Sequence, residues 1–398
     1  MKHKLFIPLI IVLLLMSFAL PANAQLVPQV SGGYTITTTP AVDSATGAIP
    51  VSPGQSIKLD ATATVTYSGT SANGVKVTAN VYAYLYQGGV QKADAQKTFS
   101  KTLDVSSGNT YTVSDTMSIT VPADIAPGHY LLKIVASASA DYLGMTYNQK
   151  PVVEKYVVNV NAPGTPGASA TPTPVPTPTP VPSTFGINSS TVTATTGGNS
   201  TFKSGEVSGS TDSGTASGYV DVNLTGTPNG SLNMYIRSTP DPLATTQFML
   251  AAANSGSDIA DIACVLVVDH PTLANGADIG GATITMKVSK AWVEARGGID
   301  AIKILRYSDG KSEALDTQYV GVDGDMMVFQ AYSPHGLSQF ALASVAVLPV
   351  TAAETAPVGV QIGAGLIIGI IAAIVILLVV IVGVVYVVQQ RGKKKKQQ

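Results

Sequence analysis

Ser56-Ile57-Lys58-Leu59-Asp60-Ala61-Thr62-Ala63-Thr64-Val65-Thr66-Tyr67 alternates apolar and polar residues almost without a break. A period of two belongs to a strand with one face buried and the other wet. The same alternation returns over 75–86, 110–121 and 130–140, and turn signals punctuate the runs: Ser52-Pro53-Gly54, Gln87-Gly88-Gly89, Ser107-Gly108-Asn109 and Ala126-Pro127-Gly128. Strands at this spacing predict a β-sandwich over residues 25–161. Within it, Tyr82, Tyr84 and Tyr86 share one face of a strand and Val81, Ala83 and Leu85 the other. Two readings fit that row. It is an exposed stack for sugar rings or a neighbouring protein, or it is tyrosine used as a half-buried strand residue with a wet hydroxyl.

Outward from this module, residues 162–183 hold the run Thr171-Pro172-Thr173-Pro174-Val175-Pro176-Thr177-Pro178-Thr179-Pro180-Val181-Pro182. Alternate prolines fix φ and remove donors, which predicts a polyproline II spacer reaching roughly 65 Å at about 3.1 Å per residue. Its threonines are also candidates for O-linked sugars. A second β-rich domain is expected over 184–345, with β runs at 218–224, 232–236, 263–268 and 282–288. One short helix is expected, N-capped by Ser289, running over 290–296 and stopped by Gly297. The start of this domain carries four Asn-x-Ser/Thr sequons, at Asn188, Asn199, Asn223 and Asn229, clustered within 42 residues. They are candidate glycosylation sites if the chain is exported. A connector over 346–357 is read as a stalk.

Both ends point to a membrane. Lys2 and Lys4 precede an apolar run from Leu5 to Leu20, then Pro21 and Ala22-Asn23-Ala24, the layout of a signal peptide over 1–24 cleaved between Ala24 and Gln25. At the other end residues 358–388 are read as a transmembrane helix and 389–398 as a basic cytoplasmic tail, which orients the remainder outside the cell. Gly359, Gly363, Gly365 and Gly369 form two small-xxx-small pairs and are candidates for helix packing and self-association. The seven cations of the two ends, set against a formal net charge of −1, leave the intervening chain near −8. That balance argues against nucleic acid as a partner. Cys264 is the only cysteine, so no internal disulfide is available, and its apolar surroundings favour a buried thiol over a nucleophile.

Catalytic patterns are missing from the sequence: no Gly-x-Ser-x-Gly, no His-Glu-x-x-His and no Walker loop. His129, His270 and His335 each sit beside a proline or glycine turn, with no partner at ligand spacing. Asp258 with Asp261, and Asp323-Gly324-Asp325, could ligate calcium, although the latter more simply makes a hairpin turn. No catalysis, cofactor or metal is expected.

Two resemblances sharpen this reading. Residues 121–136, Val121-Pro122 through Val135-Ala136, resemble the closing hairpin of immunoglobulin-like surface domains. The segments Ile284-Thr285-Met286-Lys287-Val288-Ser289-Lys290-Ala291-Trp292-Val293, Ile304-Leu305-Arg306-Tyr307-Ser308-Asp309-Gly310 and Ser333-Pro334-His335-Gly336-Leu337-Ser338-Gln339-Phe340-Ala341-Leu342 resemble, in order and spacing, the PGF-pre-PGF domain of archaeal surface proteins, over 263–345. The pattern departs at Lys311-Ser312, where a tryptophan is usual, and at Leu337, where phenylalanine is usual. The resemblance implies core roles for Trp292, Tyr307, Phe329, Leu337 and Phe340. It also implies an envelope or S-layer-associated protein of an archaeon such as a methanogen, structural or interactive, with envelope components, glycans or the membrane as partners. No Pro-Gly-Phe tripeptide precedes the apolar run, so the helix is expected to be retained. Leu348-Pro349-Val350-Thr351-Ala352 also fits the pattern cleaved by sortases. The alternative function is an adhesin or glycan-binding module presented on the Pro-rich spacer.

Overall fold

The computed structural model describes residues 29–31, 34–68, 71–142, 145–162, 184–193, 200–226, 228–308, 310–356 and 358–362, and the chain is mainly β. The first domain holds β1 (Gln29–Ser31), β2 (Tyr34–Thr39), β3 (Ala48–Val51), β4 (Ser56–Ser68), β5 (Ala72–Gln87), β6 (Val90–Val105), β7 (Thr110–Thr120), β8 (Gly128–Tyr142), β9 (Met145–Asn148) and β10 (Val152–Val160). Strands β1, β2, β4 and β7 form one sheet; β3, β5, β6, β8, β9 and β10 belong to the other. The alternation of β4 is explained by this layering. Ile57, Leu59 and Ala61 point inward with Met117 and Ile119 of β7, against Val81, Ala83, Leu85, Leu132 and Ile134 of the facing sheet. Removing such side chains from water contributes about 1.5–3 kcal/mol each for the larger aliphatics. The intervening hydroxyls pair across strands on the wet side, Thr62 with Ser114 at 3.0 Å and Thr66 with Thr110 at 3.1 Å.

The second domain holds β11 (Thr184–Thr193), β12 (Ser200–Lys203), β13 (Val207–Thr211), β14 (Gly214–Leu224), β15 (Asn229–Arg237), helix α1 (Pro242–Asn254), β16 (Ser257–Asp269), β17 (Ile279–Ser289), helix α2 (Lys290–Glu294), β18 (Ile302–Ser308), β19 (Lys311–Ala314), β20 (Thr317–Asp323), β21 (Met326–Ser333) and β22 (Gln339–Val347). Two six-stranded sheets form, one ordered β11-β15-β16-β22-β18-β19 and one ordered β12-β14-β17-β21-β20 with β13 on β14. Their facing sides share one core in which Trp292, Phe329, Leu337 and Phe340 are buried. Tyr307 lies on the opposite side of its sheet, edge-on to Phe248 of α1 at 6.5 Å and 86°. Helix α2 starts as its sequence predicts, with Ser289 Oγ accepting from the Trp292 amide at 3.3 Å, and Gly297 follows it at φ 94°.

Helix α1 departs from the sequence reading, which found only one helix. Asp241 caps it by accepting from the Ala244 amide at 2.8 Å, and proline follows at the first helical position. The helix lacks a clear polar face because it is covered on two sides. Ala244, Phe248, Ala251 and Ala252 pack on Val265, Val267, Leu305 and Ala341, while Met249 and Leu250 meet Ala48 and Val157 of the first domain. Helix α1 therefore joins the two domains. It also explains the continuous apolar run of β16, whose two faces lie under different covers.

The C-terminal segment departs further. In place of a free stalk over 346–357, Leu348 is buried with Tyr86, Leu131 and Ala253, and its amide donates to the Gly256 carbonyl at 2.8 Å. The predicted membrane helix from 358 is a strand at its start: β23 (Gly359–Ile362) pairs antiparallel with β9, Gly359 opposite Asn148 and Ile362 opposite Met145. The open edge of β9 supplies backbone hydrogen bonds that the first turn of a helix lacks. Among the described residues no helix is long and apolar enough to cross a membrane. The predicted span from 363 onward, with Gly363, Gly365 and Gly369, lies outside the described residues, as do the cleavage pair Ala24-Gln25, the Pro-rich run and the basic tail.

Candidate functional site

The tyrosine row lies on the outer face of the β5-β6-β8-β10 layer, where register builds three cross-strand rows. Asp94, Tyr84, Lys133 and Lys155 form one; Gln96, Tyr82, Val135 and Val153 the next; Thr98, Asn80 and Ser137 the third. The second domain and the 348–356 segment cover one end of this face. Tyr86 is fully buried there, so it is no part of an exposed binding surface. Its hydroxyl finds no hydrogen-bond partner among the described residues, and burial, then the neighbouring Tyr84, pushes its pKa up to about 12. Tyr84 is half-buried, its ring 6.2 Å from that of Tyr86, and burial raises its pKa against a hydrogen bond to Thr351. Tyr82, also half-buried, lines a cavity of about 310 Å³ with Asn80, Ser137, Asn148 and the Ala352–Ala353 wall.

Charge fixes the covered end. Lys133 is 3% exposed, and its ammonium reaches Glu354 Oε1 at 2.6 Å and the Pro349 carbonyl at 2.9 Å. Glu354 also accepts from the amide and the hydroxyl of Thr351, both at 2.9 Å. Burial by itself raises the Glu354 carboxyl, but the Lys133 and Thr351 hydrogen bonds outweigh it and hold the group below its ordinary value. Lys155 donates to the Ala253 carbonyl at 2.6 Å, near the C-terminal end of α1, where a cation is favoured. Burial, and then Lys133 nearby, lowers its pKa.

A second clamp comes from the β5-β6 turn. The Gly89 amide donates to Asp258 Oδ2 at 3.0 Å. Gly89 has φ +76°, and a Cβ there would stand 2.7 Å from that of Ala346, so both conformation and space demand glycine. Asp258 is 1% exposed and its Oδ1 has no partner among the described residues; burial raises its pKa against the backbone hydrogen bonds it accepts. A carboxyl easier to protonate folded than unfolded makes stability fall as pH rises from about its ordinary 3.8 through its raised value. Asp258→Asn keeps an acceptor for Gly89 and removes the buried charge. Urea denaturation should find the variant more stable than the parent at pH 7, with the difference shrinking toward pH 3.5; an equal or lower stability at pH 7 would contradict this account.

Asn223 and Asn229 are exposed, Asn188 lies in β11, and Asn199 is outside the described residues. Asp258 and Asp261 do not converge: Asp261 instead accepts from Trp292 Nε1 at 3.3 Å and Arg296 Nε at 2.5 Å. Asp323 pairs with Lys287 at 2.8 Å. Among the described residues no group of three or more His, Cys, Asp or Glu is arranged to hold a metal ion. His270 is engaged by the carbonyls of Leu273 at 2.7 Å and Leu337 at 3.3 Å. Cys264 is fully buried, its thiol pushed up to about 12 by burial, which keeps it protonated and unreactive.

No family model matches the chain, and no curated protein matches it. Among solved structures it is similar to the sporulation control protein Spo0M of Bacillus subtilis, at 9% identity over 67% of this chain and 82% of that chain, with a TM-score of 0.18. A likeness at that score carries no argument about fold or function.

Proposed function

We propose that this chain is an extracellular envelope protein of the cell surface, structural or interactive and without catalysis. Its exported part is two β domains held side by side and tethered by the apolar run after Ile362. The observation that carries the reading is the C-terminal route. The chain leaves β22, docks through Leu348 and Glu354 on the first domain, and pairs β23 with β9 immediately before the apolar residues. Tension on such a tether would enter the first domain through an antiparallel strand pair and a buried ion pair. Residues 363–388 still exceed the roughly 20 apolar residues a bilayer span needs. The Lys/Arg tail would then remain in the cytoplasm.

The first domain reads as immunoglobulin-like. Tyr130, fully buried at the start of β8, donates its hydroxyl to the Ala126 carbonyl at 2.7 Å, a tyrosine corner of the kind found in such sandwiches. Assignment of 263–345 to the PGF-pre-PGF domain, and of the source to an archaeon, rests on the sequence segments. A sortase acting at Leu348–Ala352 is disfavoured, because Leu348 is buried and Thr351 opens a turn closed by the Glu354 amide on its carbonyl at 3.0 Å.

Protease shaving of intact cells with quantitative mass spectrometry tests the reading. Peptides from both domains should be released, at copy numbers comparable to the major envelope components. Release at only a few hundred copies per cell would favour the adhesin alternative, and no release from intact cells that shed other surface proteins would remove the extracellular placement.

A further inference from the structure

We infer that the cleft between the Tyr82-Tyr84 face and the 352–356 wall binds a neutral carbohydrate chain. Sugar rings offer an apolar C–H face and a rim of hydroxyls. Aromatic faces suit the first, and side chains that both donate and accept suit the second. The cleft supplies both: the rings of Tyr82 and Tyr84, and the amides and hydroxyls of Asn80, Ser137, Ser139 and Asn148. Its volume of about 310 Å³ sits at the small end of ligand pockets, room for a short glycan segment. The face continues outward from Tyr82 and Asn80 to the exposed Gln96 and Thr98 of β6, so a longer chain could cross the sheet.

Charge selects among sugars. The cavity lining holds no Asp, Glu, Lys, Arg or His. The two cations in the cross-strand row of Tyr84 are committed elsewhere, Lys133 to Glu354 and Lys155 to the Ala253 carbonyl. Asp94 is exposed beside Tyr84 and repels an anion. One wall comes from residues 352–356 and the floor from β5 and β8, so the cleft exists only while the C-terminal segment is docked.

Sugar binding is measured on purified full-length protein, independently of where the chain sits in the cell. The detergent must lack a sugar headgroup, which would compete for the cleft. Calorimetric titration uses hexamers of glucose, mannose and N-acetylglucosamine as neutral probes and oligogalacturonate as the acidic one. At least one neutral hexamer should bind, Tyr82→Ala should weaken it about tenfold, and Tyr82→Phe should bind close to the parent because the ring remains. Gln96→Ala, at an exposed position, should weaken binding severalfold even if Tyr82→Ala unfolds. Absence of binding by every neutral hexamer, preference for the acidic probe, or unchanged affinity in both Tyr82→Ala and Gln96→Ala would each overturn the inference.

Discussion

Glu354→Ala should undock the C-terminal segment and weaken the junction of the two domains. With the segment still docked, Lys133 would be buried without its counter-ion, at a cost of about 3–5 kcal/mol that undocking relieves. The lower end applies, because the Glu354 side chain retains 18% exposure. Calorimetry should show the melting transition shifted down or split in two, and limited proteolysis should find new cuts in 346–357. The double variant Lys133→Met, Glu354→Leu removes both charges together and should recover most of the loss. The pH sign follows from the lowered carboxyl: the pair's contribution is complete above the ordinary glutamate value of 4.5 and is lost as pH falls through the depressed value. A melting profile of Glu354→Ala matching the parent at pH 7 would show that the ion pair does not hold the seam.

Phe248→Ala should be as damaging by a different route. Phe248 is fully buried in α1, between the Val265-Leu305-Ala341 face of the second domain and the edge of Tyr307. Deleting a buried phenyl ring costs about 3–5 kcal/mol, transfer and cavity together. The same helix carries Met249 against Ala48 and Val157, so its loosening also releases the first domain. Chemical denaturation should show the loss, and faster hydrogen exchange in β10 should accompany it. A loss below about 1 kcal/mol would mean that the helix collapses onto the sheet and refills the space.

Much of the strand content was legible because one face of each strand is wet. β4, β5 and β7 carry a period of two that needs no tertiary information, and the turn glycines mark their ends. β6 was harder to read: its inward set of Ala93, Ala95, Phe99, Leu103 and Val105 keeps the period of two, but two members are small alanines and Lys97 and Lys101 interrupt the row at a sheet edge. Helix α1 was hidden for the opposite reason. Covered on two sides, it has no polar stripe, and its signal was confined to the Asp241-Pro242 start. The tyrosine row was found by period alone, but the sequence could not say that Tyr86 lies beneath Leu348, 262 residues on.

The sequence by itself determined the β character, the inward set of each regular strand, the Ser289 cap and the inert setting of Cys264, because these depend on neighbours along the chain. Only the tertiary structure decided that residues 348–356 of the connector are a docked clamp, that Gly359–Ile362 extends a sheet, and that the tyrosine face is half seam and half cleft. Each of those outcomes turns on a partner far along the chain: Lys133 for Glu354, β9 for β23, Ala352 and Ala353 for Tyr82. Local pattern records how a residue prefers to be solvated. It does not record which distant surface will displace the water.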